Sequence, residues 1–178
     1  MVPFIEQAQL YGRYHTKRIT WYTHMAGIPL LFLSAFMLLG FIHIVIPNVL
    51  DIRIAEIVAI ALLVYYFRLE WRLAFVVTPI FIVLLYISSL FTYAGPSAFS
   101  LWATLIFFLL GCVLQLIGHI LEGKRPAFTH NLWHSLISPL FLTAEVFFMM
   151  GWMPKLERSI QNDKNDDTKE SEEQEIID

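Results

Sequence analysis

Charged side chains are nearly absent from two long parts of this sequence. No Asp, Glu, Lys or Arg occurs in residues 22–50 or 73–121, and charged residues make up 15% of the chain against 57% hydrophobic. A soluble domain carries about 25% charged residues. Each charge-free run exceeds the roughly 20 apolar residues that cross a bilayer. The composition therefore excludes a soluble globular protein and predicts an integral membrane protein, with no nucleic-acid partner expected.

Cysteine is also scarce, with Cys112 the single one in the chain. It lies in a Leu-rich run, which excludes a disulfide framework and argues against a thiolate metal site. Residues 1–15 lack the basic segment followed by an apolar core that marks a cleavable signal peptide. We therefore expect the first membrane span to act as its own insertion signal.

The hydrophobic runs predict an all-α, polytopic membrane helix bundle, because backbone groups in lipid must be paired within their own segment. We predict about five transmembrane helices after an N-terminal interfacial helix at 3–16. The spans are expected at about 21–46, 53–67, 73–94, 99–121 and 131–153. Residues 1–154 form this membrane domain. Residues 155–178 are an acidic tail that we expect to be disordered, because it has too few apolar side chains to fold.

The Lys and Arg residues near the span ends predict the orientation, because cytoplasmic loops carry more of them. With five spans, seven basic residues near the span ends lie on the same side of the membrane as the N-terminus, and three lie on the other side. The N-terminal side is therefore predicted to be cytosolic. The seven are Arg13, Lys17, Arg18, Arg68, Arg72, Lys124 and Arg125. A re-entrant fifth segment would bring the tail to this side. The membrane is either a bacterial inner membrane or the endoplasmic reticulum.

Five of the six histidines then lie at the cytosolic boundary, on three separate segments: His15, His24, His119, His130 and His134, with His43 at the other surface. Any one of them alone is more simply explained as an interfacial polar group. Three or four imidazoles facing one cavity, however, suit iron, zinc or copper with positions left open for substrate. Without a thiolate nearby, a nitrogen-rich iron or zinc site fits best.

Helical spacing gives the two halves of this candidate site. His119 and Glu122 share one helix face, as a metal ligand and the carboxylate beside it would, and Gly118 leaves room for another helix or a ligand. His15 and His24 are nine residues apart and would face opposite ways on a straight helix. They converge only if the chain bends between them, which we expect near Ile19-Thr20.

The last span adds one stronger and two weaker candidates. His130 and His134 form an HxxxH pair, in which we favour a headgroup contact for His130 and a ligand role for the deeper His134. Glu145 lies too deep for the cluster, and we favour a hydrogen-bonded contact between helices. Basic residues at the boundary would attract an anionic head while the bundle holds an acyl tail, which indicates a fatty acid or lipid substrate.

Two segments of the sequence resemble the 2-hydroxy fatty acid dioxygenases, a family of small multi-pass membrane proteins with bacterial relatives. The first is YHTKRITWYTHMAGIP, and the second is QLIGHILEGKRPAF followed by NLWHSLISPLF. The resemblance covers about residues 4–153. Thr20 departs from the pattern, because the family often has Asn there, although Thr20 can still form a hydrogen bond on the face of His24.

The resemblance implies an Fe(II)-dependent α-oxidation, in which a 2-hydroxy fatty acid and O₂ give a fatty acid one carbon shorter, with loss of CO₂. The implied iron ligands are His15, His24 and His119. His134 or Glu122 would complete or tune the site, and Lys124 or Arg125 would lie near the substrate carboxylate.

Three other functions remain open from the residues. A histidine-box di-iron hydroxylase or desaturase needs about eight histidines, and this chain has six. A helix bundle with paired histidines can bind haem as an electron carrier. A scaffold or lipid-binding protein would have only interfacial histidines. The sequence does not determine the oligomeric state.

Overall fold

The structure is a bundle of five helices with one small hairpin, which confirms the all-α prediction. It is a computed structural model, and it describes residues 18–46, 50–122, 132–154 and 156. In chain order the elements are α1 (Arg18–Gly40), β1 (His43–Ile46), β2 (Leu50–Arg53), α2 (Ile54–Leu69), α3 (Trp71–Thr92), α4 (Ala98–Glu122) and α5 (Leu132–Met149). The expected interfacial helix at 3–16 and the acidic tail lie outside the described residues, except for Leu156.

Three of the described helices are long and apolar enough to cross a membrane: α1 from Thr20 to Gly40, all of α3, and α4 from Ala98 to Leu121. The other two are shorter. At 1.5 Å per residue, the 16 residues of α2 span about 24 Å, less than the roughly 30 Å hydrocarbon core. In α5 the apolar part runs only from Leu136 to Met149.

The first helix ends earlier than predicted, at Gly40 and not near residue 46. The next residues instead form an antiparallel two-stranded hairpin in which His43 pairs with Arg53 and Ile46 with Leu50. Hydropathy does not separate an apolar strand from the end of an apolar helix, and the β-branched run HIVI favours the strand. His43 lies on this hairpin, where its Nδ1 is 3.1 Å from Oδ1 of Asp51.

Helices α1 and α4 form the most extensive contact of the fold. They run antiparallel, since Gly27 of α1 meets Gly111 of α4 while Thr23 and His24 meet Gly118. A β-carbon added at Gly111 would lie 2.8 Å from Cγ of Leu31, and one at Gly27 would lie 3.2 Å from the carbonyl oxygen of Gly111. Small residues let the two backbones approach this closely, as is common between helices in lipid.

An aromatic cluster joins the other helices to α1. Phe81 of α3 lies 5.4 Å from Phe36 and 5.9 Å from Tyr66 of α2 between ring centroids. The Tyr66 hydroxyl donates a hydrogen bond to the carbonyl of Leu136, near the start of α5. These contacts place the starts of α1, α3 and α5 and the ends of α2 and α4 at one end of the bundle, and the hairpin at the other.

Candidate metal centre

Two histidines from different helices meet at the end of the bundle where α1 begins. His24 of α1 and His119 of α4 have ring centroids 5.0 Å apart, with ring planes at 81°. Both are buried, with 2% and 5% of their surface exposed. The antiparallel pairing of α1 and α4 produces this meeting, because it sets the first turns of one helix against the last turns of the other.

The main chain fixes the orientation of the His24 ring. Its Nδ1 lies 2.8 Å from the carbonyl oxygen of Thr20, one turn earlier on α1. A carbonyl oxygen only accepts hydrogen bonds, so Nδ1 carries the hydrogen and donates it. The neutral ring therefore has its lone pair on Nε2, the atom with which it can bind a metal. A histidine ligand is commonly oriented in this way by its second nitrogen.

Two threonines surround that hydrogen bond. The Thr23 hydroxyl also donates to the Thr20 carbonyl, at 2.9 Å. Thr20 is fully buried, and its own hydroxyl donates to the carbonyl of Gly118 on α4 at 3.4 Å. Thr20 thus orients His24 through its carbonyl and contacts α4 through its side chain.

Gly118 packs directly against these groups. A β-carbon at this position would lie 2.5 Å from Oγ1 of Thr23 and 3.0 Å from Cε1 of the His24 ring. The space that the sequence predicted beside His119 is therefore filled by α1. Thr23 was not among the predicted site residues, although Thr20, Thr23 and Gly27 form a face of small residues at helical spacing.

The structure describes only part of the predicted site. His15, His130, Lys124 and Arg125 lie outside the described residues. Glu122 is the last residue of α4 and His134 lies in the first turn of α5, at the same end of the bundle as the pair, but their side chains are not described. Glu145 is half-buried further along α5.

The expected bend between His15 and His24 does not break the helix at Ile19-Thr20, because both residues lie inside α1. Residues 11–17, which include His15, lie outside the described residues. The approach of His15 to the pair is therefore still a prediction.

The chemistry of the pair fits a transition metal. Among the described residues no group of three or more His, Cys, Asp or Glu side chains comes together, so the pair would supply two ligands to a bound metal. Imidazole nitrogen binds iron, zinc and copper. The arrangement does not suit a haem with two axial histidines, because such a haem needs one imidazole on each face of the porphyrin and these two rings touch edge to face.

Comparison with known proteins gives a family match over most of the chain. The family described as 2-hydroxy-palmitic acid dioxygenase Mpo1-like matches residues 1–150. A protein of Saccharomyces cerevisiae named 2-hydroxy-palmitic acid dioxygenase MPO1 is 38% identical over 58 residues, which cover 32% of this chain and 33% of the yeast protein. No solved structure matches the chain.

Proposed function

Because the chain belongs to the 2-hydroxy-palmitic acid dioxygenase Mpo1-like family, we propose that it is an Fe(II)-dependent membrane dioxygenase of 2-hydroxy fatty acids. In the proposed α-oxidation, the acid and O₂ give CO₂, water and a fatty acid one carbon shorter. The observation that carries the proposal is the buried contact between His24 and His119, with His24 oriented to bind through Nε2.

The proposal assigns roles to the residues at this end of the bundle. His15, His24 and His119 would hold the iron, with His134 or Glu122 completing or tuning the site. Iron(II) would supply the reaction with O₂, which protein side chains alone do not perform. The chain itself would orient His24 through the Thr20 carbonyl and keep water from the ring faces by burying both imidazoles.

The substrate head would lie at the cytosolic boundary, to which the Lys and Arg asymmetry of the sequence assigns this end. A carboxylate there would be attracted by Lys124 and Arg125, which follow α4 in the sequence. The O₂ would arrive through the bilayer or the solvent, and the interior of the helix bundle would hold the hydrocarbon tail.

The direct test is purification without oxygen in the presence of Fe(II), followed by addition of O₂ and a 2-hydroxy fatty acid. Mass spectrometry should show the acid one carbon shorter, and metal analysis should give about one iron per chain. Two irons per chain would instead support a di-iron hydroxylase. Protein that neither retains metal nor turns over any 2-hydroxy acid would refute the proposal and favour a lipid-binding role.

A haem-binding electron carrier is the other function that paired histidines suggested. The edge-to-face contact of the two rings disfavours it. A Soret band in the purified protein would reverse that conclusion, and the same preparation is suitable for recording the spectrum.

A further inference from the structure

An apolar groove lies one helical turn from the histidine pair, between α1, α3 and α5. Its walls include Ile28, Phe32, Val77, Ile80, Leu84 and Leu142. The space between these side chains, counted together with the open side of the groove, is about 330 Å³. All of its lining side chains are apolar, so it suits a hydrocarbon and offers no partner to a polar group.

The groove begins one helical turn after His24 along α1. Ile28 and Phe32 follow His24 at i+4 and i+8 on α1, so the three side chains form one stripe. At 1.5 Å per residue the stripe is about 12 Å long. His24 thus lies one turn before Ile28 on the face of α1 that lines the groove, so a molecule held at the pair would meet the groove by extending along this stripe.

Buried side chains close the floor of the groove, whereas one of its sides is exposed. Phe81 lies 1% exposed at its floor, with its ring centroid 5.3 Å from that of Phe32. Ile80, in contrast, is 44% exposed, so its side of the groove faces the bilayer. Each of the three helices carries an internal proline, Pro29, Pro79 and Pro139. Proline bends helices and removes a backbone hydrogen bond, which favours a gap between them.

We propose that this groove holds the acyl chain of the substrate and that Ile80 helps to set the chain length. The inference rests on the proposed function, which puts a polar head at the histidine pair and requires an apolar site for the tail beside it. The groove is an apolar cavity that begins one turn from His24 along α1, and its open side at Ile80 would give entry from the membrane. An acyl chain of a bilayer lipid is the competing occupant.

Photo-crosslinking tests the occupant without depending on turnover. The full-length protein in lipid nanodiscs is mixed with a 2-hydroxy fatty acid that carries a diazirine near the chain end, irradiated, and mapped by mass spectrometry. We expect adducts on the groove residues of α1, α3 and α5, which excess unlabelled 2-hydroxy fatty acid displaces. The Ile80→Trp variant, which fills the groove from its exposed side, should lower the adduct yield several-fold.

Ile82→Trp is the matched control, because Ile82 lies on the same helix, is 59% exposed and does not line the groove. It should label like the wild type. Ile80→Ala, which widens the groove, should shift turnover towards longer or bulkier chains, whereas Ile80→Trp should shift it towards shorter ones. The three variants should have the same melting temperature as the wild type to within a few degrees.

The outcomes separate this inference from the proposed function. Adducts that the 2-hydroxy acid does not displace would show that bilayer lipid occupies the groove and would overturn the inference. The same follows if wild-type protein shortens the acid but neither Ile80 variant changes labelling or chain-length preference. Displaceable groove labelling without any turnover would support the groove as a fatty-acid site and refute the dioxygenase.

Discussion

At the scale of single residues, the histidine pair depends on main-chain groups that a sequence pattern does not show. The His24 tautomer follows from the Thr20 carbonyl, and every residue type supplies a carbonyl. The histidines themselves stood out in the sequence because they are polar groups at the ends of apolar runs. Their individual roles as ligands are still predictions.

His119→Ala should abolish both iron retention and chain shortening. His119 is buried against His24, and among the described residues no third His, Cys, Asp or Glu side chain joins the pair. Even groups that only orient a ligand cost about 10–100-fold in metal affinity or activity when removed, so we expect a loss of at least ~100-fold. Metal analysis of the purified variant measures the first effect and product mass spectrometry the second.

His43→Ala is the control for that variant. His43 lies on the hairpin at the opposite end of the bundle and pairs with Asp51, so the replacement should leave iron content and turnover unchanged. Full activity of His119→Ala, or an equal loss in His43→Ala, would contradict the assignment of the pair.

Thr20→Val separates the two contacts that Thr20 makes. The replacement removes the hydroxyl that donates to Gly118 but keeps the carbonyl that accepts from His24. We expect a loss of about 0.5–1 kcal/mol in the free energy of unfolding, with iron content close to that of the wild type. A large loss of iron with unchanged stability would mean that the hydroxyl, and not the carbonyl, acts on the site.

At the scale of helices, the site is a consequence of how closely α1 and α4 pack. Gly118→Ala would insert a methyl group 2.5 Å from the Thr23 hydroxyl and 3.0 Å from the His24 ring, so one of these groups has to move. Because the ring is the group that would bind metal, we expect weaker iron affinity and lower turnover in a protein that still folds. Iron titration followed by circular dichroism and melting would measure both properties.

Gly40→Ala is a matched replacement at the other end of α1. A β-carbon there would lie 3.1 Å from the Thr92 hydroxyl, which is tight but far from both histidines. It should affect stability without changing iron affinity. If Gly118→Ala bound iron as tightly as Gly40→Ala, the close packing at Gly118 would have no part in positioning His24.

The helices could be predicted from the sequence more reliably than their ends or their partners. Long charge-free runs indicate apolar helices, and among the described residues three helices are long and apolar enough to cross a membrane. The hairpin after Gly40 was missed because HIVI is as hydropathic as a helix end. The pairing of α1 with α4 depends on close approaches of Gly27 to Gly111 and of Gly118 to Thr23 and His24. Local periodicity does not show such contacts between distant parts of the chain.

At the scale of the whole molecule, the chain has two chemically different ends. One end carries the histidine pair, the junction between α2 and α3 at Glu70, and the starts of α1 and α5. The other carries the β1–β2 hairpin with His43 and Asp51. The Lys and Arg distribution predicts that the first end faces the cytosol, and we expect the two ends to be reachable from opposite sides of the membrane.

Single-cysteine labelling tests this orientation in sealed vesicles or intact cells. Cys112 is the only cysteine and is replaced by Ala, after which one cysteine is introduced at Val45 or at Trp71. These positions are 63% and 56% exposed at opposite ends of the bundle. A maleimide that does not cross membranes should label Val45→Cys from outside, and Trp71→Cys only after the membrane is permeabilised. The reverse pattern would place the histidine pair on the outer side, and labelling of both from outside would show that α2, the helix between the two positions, does not separate the two surfaces.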